Sequence, residues 1–257
     1  MNPAPPSPWP DRLWLVRHGQ SAGNVANEAA LLSGQAAIDI AERDMDVPLS
    51  PLGERQADAL GAWFAQRPEA ERPNVILASP YVRAMQTADR IAAVQPPLER
   101  PLVRVHDERL REKELGELDR LTKAGILARY PEEADRRARV GKFYYRPPSG
   151  ESWCDVILRL RSMVDHIQLQ HRGERVLVVA HQVIVLCFRY LLEHLTEAEI
   201  LAIDREKDVA NCSVTSYALG RDEANRTALQ LEAYNFCTPI EEAGEAVTKA
   251  ADPPAPR

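Results

Sequence analysis

No stretch of this 257-residue chain approaches the roughly 20 consecutive apolar residues that a membrane-spanning helix requires. The opening Met1-Asn2-Pro3-Ala4-Pro5-Pro6 lacks the basic start and apolar run of a signal peptide. From these absences we expect a cytoplasmic protein with no membrane partner. Positive charge is not in surplus either. Thirty-two Lys and Arg face 38 Asp and Glu, a net charge of -6, whereas a nucleic-acid binder needs a basic face. A few converging arginines can still form a small anion pocket on an acidic chain. Cysteine is scarce and scattered: Cys154, Cys187, Cys212 and Cys237 show no CxxC spacing and read as buried, reduced thiols. The six histidines contain neither HxxxH nor HExxH, which argues against a metallohydrolase.

What is present is an ordinary globular composition, 45% hydrophobic and 27% charged, with no internal repeat and no composition break. The expected organisation is a flexible Pro-rich N-terminus over 1–11, a single domain over 12–240 and a flexible tail over 241–257. Between the ends, apolar runs alternate with helical periodicity. Strands are expected at Leu13-Trp14-Leu15-Val16, Val75-Ile76-Leu77-Ala78, Leu102-Val103-Arg104-Val105 and Arg175-Val176-Leu177-Val178-Val179-Ala180, with two more near 212–219 and 227–236. Ser50-Pro51 and Ser79-Pro80 read as helix starts. Helices are also expected after Gly150, where Trp153, Val156, Ile157, Leu160, Val164 and Ile167 share one face, and after His181 to about His194. Alternating strands and helices imply an α/β fold with a mostly parallel sheet covered on both faces. Active sites of such folds lie beyond the carboxyl ends of the strands. Arg17-His18, Ser79 to Arg83, and His181 all fall there.

Four residues carry a coherent chemistry. A lone histidine at a strand end is usually structural. His18, however, follows Arg17, precedes a glycine that lets backbone approach a ligand, and is trailed by Ser21 and Asn24. A neutral imidazole attacks phosphorus well, and a neighbouring cation disfavours its protonation. Arg83 supplies a planar fork suited to phosphate oxygens. Glu112 is the candidate proton donor to a departing alkoxide, although Glu108, Glu114 and Glu117 crowd the same stretch, and Asp107 and Glu108 are weaker candidates. His181 ends the clearest strand and is placed to stabilise charge on a transferring phosphoryl group. His106, His166, His171 and His194 read as surface or structural.

These stations in this order resemble the histidine phosphatase, or phosphoglycerate mutase-like, superfamily. The segment Arg17-His18-Gly19-Gln20-Ser21-Ala22-Gly23-Asn24 is similar to its RHG-x-S/T-x-x-N signature, and Asp46-Val47-Pro48-Leu49-Ser50-Pro51-Leu52-Gly53 to its D-x-P-L-T-x-x-G segment. The resemblance implies a three-layer α/β/α sandwich, no cofactor and no metal, a phosphorylated His18, a pocket of Arg17, Arg83 and His181 assisted by Asn24 and Ser21, and Glu112 as acid. Within the family, Lys142 to Trp153 and His181-Gln182 look like the fructose-2,6-bisphosphatase branch, which implies that Lys142, Arg146 and Gln182 bind a second anionic or sugar group. The chain departs from that branch at Leu186, where the branch has arginine, and at Trp153, where it has tyrosine. The segment 25–44 is long for the family and is a candidate cover for the pocket. The expected activity is hydrolysis of a phosphate monoester of a small metabolite through phosphohistidine. A mutase-type phosphotransferase and a non-catalytic phospho-ligand-binding protein are the alternatives. The assembly state is open between monomer and homodimer.

Overall fold

The computed structural model describes residues 7–222 and 224–249. In chain order the elements are β1 (Arg12–Arg17), α1 (Ala22–Leu32), α2 (Pro51–Ala65), β2 (Val75–Ala78), α3 (Val82–Ala93), β3 (Val103–His106), α4 (Lys123–Arg129), α5 (Pro131–Val140), α6 (Trp153–Gln170), β4 (Arg175–Ala180), α7 (Gln182–Leu192), α8 (Glu197–Glu206), β5 (Val214–Arg221), β6 (Thr227–Phe236) and α9 (Thr238–Glu242). The six strands form one sheet in the order β3-β2-β4-β1-β5-β6. The first four run parallel, and β5 and β6 close the other edge antiparallel. This is the α/β sandwich anticipated from the alternation of elements.

Strand periodicity sorts the core into two layers. Leu13, Leu15, Leu77, Val176 and Val178 face α6 and α7 with Trp153, Leu160, Met163 and Phe188. Trp14, Val16, Ile76, Leu177 and Val179 face α2 and α3 with Leu60, Phe64, Ala84 and Ile91. The central strands are therefore apolar between their ends, because both faces are covered. The helix starts follow from their first residues. Ser50 accepts from Gly53 N at 3.0 Å with Pro51 at the first helical position, and Ser152 forms a capping box with Asp155.

Three expectations need correction. Ser79-Pro80 does not open a helix: α3 begins at Val82, and Ser79 Oγ instead lies 2.8 Å from His181 Nε2. Part of the segment expected to be loose makes contacts up to Thr248. Gln56 Nε2 donates to Ala246 O (2.8 Å), Asn211 N donates to Thr248 O (3.0 Å), and Arg55 pairs with Glu245 at 2.9 Å. At the other end Trp9 packs on the core and its carbonyl accepts from Gly173 N, so ordered chain precedes residue 12. The expected flexibility of residues 1–6 and 250–257 lies outside the described residues.

Candidate active site

Neighbouring strands β4 and β1 end level, Arg17 pairing with Ala180, and β2 ends one register position earlier, Ala78 pairing with Val179. The next residues are Ser79, His181 and His18, so sheet register alone brings three side-chain groups to one edge. His18 N donates to Ala180 O at 2.9 Å, which extends the ladder by one residue and fixes the imidazole. Its Nδ1 lies 2.7 Å from Gly19 O. A carbonyl only accepts, so Nδ1 carries the proton and Nε2 carries the lone pair. Arg83 Nε donates to that same Nε2 at 3.3 Å, in agreement with this tautomer.

Around His18 the groups close into a ring. The His18 and His181 rings meet edge to face with centroids 5.1 Å apart. Tyr81 packs edge-on to His181 at 5.2 Å, and the Arg83 guanidinium sits 5.0 Å over the Tyr81 ring. Tyr81 OH donates to Glu114 Oε1 at 2.7 Å, and burial followed by this carboxylate pushes the phenol well above its usual range. Arg17 is fully buried, with Nη1 on Val209 O (2.7 Å) and Gln182 Oε1 (3.2 Å). Gln182 in turn donates to Asp208 Oδ1 at 2.9 Å. Asn24 and Ser21 cap α1 reciprocally, and Asn211 bridges Asn24 to the His18 carbonyl at 3.4 and 3.0 Å. Gly19 and Gly53 permit the close approach of this loop to α2: a Cβ on Gly53 would lie 1.9 Å from Gln20 O. Both α3 and α7 begin at the site, and neither N-cap, Tyr81 or His181, makes a side-chain capping bond. Their partial positive ends face the space where an anion would sit.

Glu112 is buried in a separate loop, where its Oε1 accepts from Lys113 N at 2.7 Å. Arg159 of α6 clamps that loop through the carbonyls of Arg109 and Glu112 and an ion pair with Glu151 at 3.0 Å. Against its burial, Arg159 and Arg111 hold the Glu151 carboxyl below the usual range. Glu114, two residues on, joins the loop to Tyr81 and so to the histidines.

The structure does not bring Arg146 to the histidines. Its guanidinium is committed to Asp155 at the start of α6, with Nε 2.7 Å from Oδ2. Lys142 pairs with Asp204 and stacks 5.4 Å from the Trp153 ring. It does line a cavity of about 540 Å³ beside α5, together with Lys123, Asp135, Arg137, Asp204 and Arg205. Arg137 is 6% exposed, and its Nη1 has no hydrogen-bond partner among the described residues. Burial lowers its pKa to about 10. Burial likewise lowers Lys113, beside Glu112, to about 8, partly offset by the Glu112 charge.

Sequence reasoning missed Tyr81, Asn211, Arg137 and Asp44, whose carboxylate pairs with Arg83 at 3.1 Å. Tyr81 lay inside a segment already singled out. Asp44 ends another such segment, 25–44, whereas Asn211 and Arg137 carry no local signature, because long-range chain folding alone delivers them.

Comparison with known proteins agrees with this geometry. A family model described as histidine phosphatase superfamily (branch 1) matches residues 13–231. A 6-phosphofructo-2-kinase/fructose-2,6-bisphosphatase of Caenorhabditis elegans is 35% identical over 179 residues, 69% of this chain and 33% of that protein. The chain thus spans about a third of that relative's length. A 2,3-bisphosphoglycerate-dependent phosphoglycerate mutase 2 of Gloeobacter violaceus is 34% identical over 198 residues, covering 76% of this chain and 81% of that one. Among solved structures, a mycobacterial glucosyl-3-phosphoglycerate phosphatase complexed with VO3 superposes with a TM-score of 0.64 at 26% identity, over 88% of this chain and 99% of its own. The alpha-ribazole phosphatase of Shigella flexneri shares the fold, with a TM-score of 0.66 at 17% identity over 88% of this chain and 97% of its own.

Proposed function

The chain belongs to the histidine phosphatase superfamily, branch 1, and on that footing we propose that it hydrolyses a phosphate monoester of a small metabolite through a phosphohistidine on His18. The observation that carries this reading is the setting of the His18 ring, with Nδ1 2.7 Å from the Gly19 carbonyl and Nε2 3.3 Å from Arg83 Nε. In the first step Nε2 forms a bond to phosphorus while the ester P–O bond breaks. The departing alkoxide takes the proton of the Glu112 carboxylic acid. The imidazole becomes cationic, and Gly19 O, already bound to Nδ1–H, meets that charge. In the second step water attacks phosphorus and yields a proton to Glu112, the N–P bond breaks, and inorganic phosphate leaves. Arg17, Arg83 and His181 spread the charge of the transferring group, so positioning and electrostatics supply most of the rate.

Residues 12–240 carry all of these groups and act as one catalytic unit. Gln182 serves by holding Arg17, and Asn24 with Ser21 by fixing the turn after His18. The cavity beside α5 supports a substrate with a second anionic group. Its Arg137 guanidinium is buried and under-satisfied, a costly state that an anion relieves. That role passes from Arg146 to Arg137, with Lys142 beside it.

The test is substrate labelled in its phosphoryl group, quenched without acid. Label should appear on His18 and decay to inorganic phosphate. A protein that turns over without ever carrying label, or that loses activity with chelator, sinks the reading. Label that persists until an acceptor alcohol is added would point to a mutase instead.

A further inference from the structure

Arg83 joins the catalytic floor to the segment that precedes α2. Nε serves the imidazole, while both terminal nitrogens are held by Asp44: Nη2 donates to Oδ2 at 3.2 Å, and Nη1 reaches both Oδ1, at 3.1 Å, and the Asp44 carbonyl. Asp44 opens a short 3-10 turn, Asp44–Asp46, at the end of the long segment between α1 and α2. That segment is not a free loop. Ile38 N donates to Arg120 O at 2.8 Å, Arg120 Nη1 to Ile40 O at 3.1 Å, and Thr122 Oγ1 to Gln35 O at 2.6 Å. Ser21, Asn24, Asp44, Arg83, Asp119 and Arg120 line one small pocket where this strap meets the catalytic floor. Asp44 is therefore delivered to Arg83 by a built connection.

The two partners differ in exposure. The Arg83 side chain is 4% exposed and the Asp44 side chain 38%. The buried guanidinium is fixed in place, whereas the carboxylate is open enough to water to swing out once another anion takes its place. A planar fork that grips a carboxylate through its terminal nitrogens is also the fork that grips phosphate oxygens.

We propose that Asp44 is a positioning residue that stands in for the phosphoryl group: its carboxylate occupies the Arg83 fork in the free enzyme and must be displaced by substrate. The proposal rests on the phosphatase reading for its ligand. Asp44 then tunes affinity in two ways. It stabilises the empty site, and it weakens binding of substrate and of inorganic phosphate alike, because each must compete with it. A binding-competent state that is only partly populated lowers apparent affinity by that fraction.

The experiment compares wild type with Asp44→Asn, which keeps the shape and the carbonyl contact and loses the charge. KM for an aryl phosphate and Ki for inorganic phosphate should both fall, by about three- to tenfold, with kcat moving less than either. Thermal unfolding in phosphate-free buffer should come at a lower temperature for the variant, and saturating phosphate should close the gap. Asp44→Glu should restore part of the competition. Unchanged constants, or a rise in KM together with a fall in kcat, would overturn the proposal, the latter because Asp44 would then merely orient Arg83. Should the variant fail to fold, a wild-type structure with vanadate decides: Asp44 still on both Arg83 terminal nitrogens refutes displacement. Absence of turnover by wild type, with phosphate still tighter on the variant, would sink the hydrolase reading and leave the role of Asp44 standing.

Discussion

At the ends of β1, β2 and β4 the residues are buried and hold one another through backbone and ring contacts. The wall that surrounds them, built from residues 33–46 and 108–146, is made of charged groups partly open to water. Arg17, His18, Ser79 and His181 are each 0% exposed. In the wall, Asp44, Arg120 and Lys142 side chains are each about a third exposed and held mainly by ion pairs. Buried, register-fixed groups are suited to a reaction whose geometry cannot drift. Half-exposed ion pairs, worth little each, are suited to exchanging one anion for another. On the proposed reading, the floor holds the nucleophile and its phosphate-binding groups, while the wall holds the acid, Glu112, and the choice of substrate.

The sharpest way to break this division is His18→Ala. Turnover of a simple aryl phosphate and of a bisphosphate should fall by the same factor, on the order of 10⁴ or more, the scale seen when a nucleophile is removed. Unequal losses would mean that the floor also selects. Next comes Glu112→Gln, measured on alkyl and aryl phosphates. Alkyl esters should slow by about 10² to 10⁴, the usual worth of general acid catalysis, and aryl esters far less. Equal slowing would move the acid elsewhere in the wall. Arg137→Ala should raise KM for substrates with a second anion by roughly tenfold, the loss of about one charge-assisted hydrogen bond, and leave the simple aryl ester unaffected. A parallel change in both would remove the cavity from substrate binding.

The smallest effect concerns Lys113. Its pKa of about 8 lies below the ordinary 10.5, so the folded protein releases this proton before the unfolded chain does. The unfolded state then binds more protons between these values, and stability rises with pH across about 8 to 10.5. Below pH 8 the full cost of the buried ammonium is present. Lys113→Met should therefore unfold a few degrees higher than wild type at pH 7, on the usual scale of a kcal/mol or so, with the gap narrowing by pH 10. A gap independent of pH would assign the effect to packing.

The same division governs what could be read from the chain. The floor was legible because it sits next to apolar strands whose periodicity is plain. Arg17-His18 and His181 follow two of the clearest runs, and Arg83 follows a third. Helix α1 was invisible for a physical reason: its inward face is Asn24, Asn27 and Ala30, while Val25, Leu31 and Leu32 point to water. The hydrophobic signal is inverted there. Helices α4 and α5 bury little beyond Gly125, Ile126, Glu133 and Arg137, so they too lack an apolar stripe. Arg146 was placed near the substrate by resemblance, and an ion pair with Asp155 holds it at the start of α6. No local pattern announces such pairings.

The antiparallel β5 has a consequence for how the protein is made. The first strand pairs on one side with residues 175–180 and on the other with 214–218, and the His18 carbonyl waits for Asn211, itself held by Thr248. The nucleophile is thus synthesised well before residues 175–248, which complete its surroundings. Such long-range pairing is slow to form. A ribosome-bound chain would carry an inert histidine until residues 175–248 have emerged, so activity would date from the arrival of these distant partners and not from synthesis of its signature.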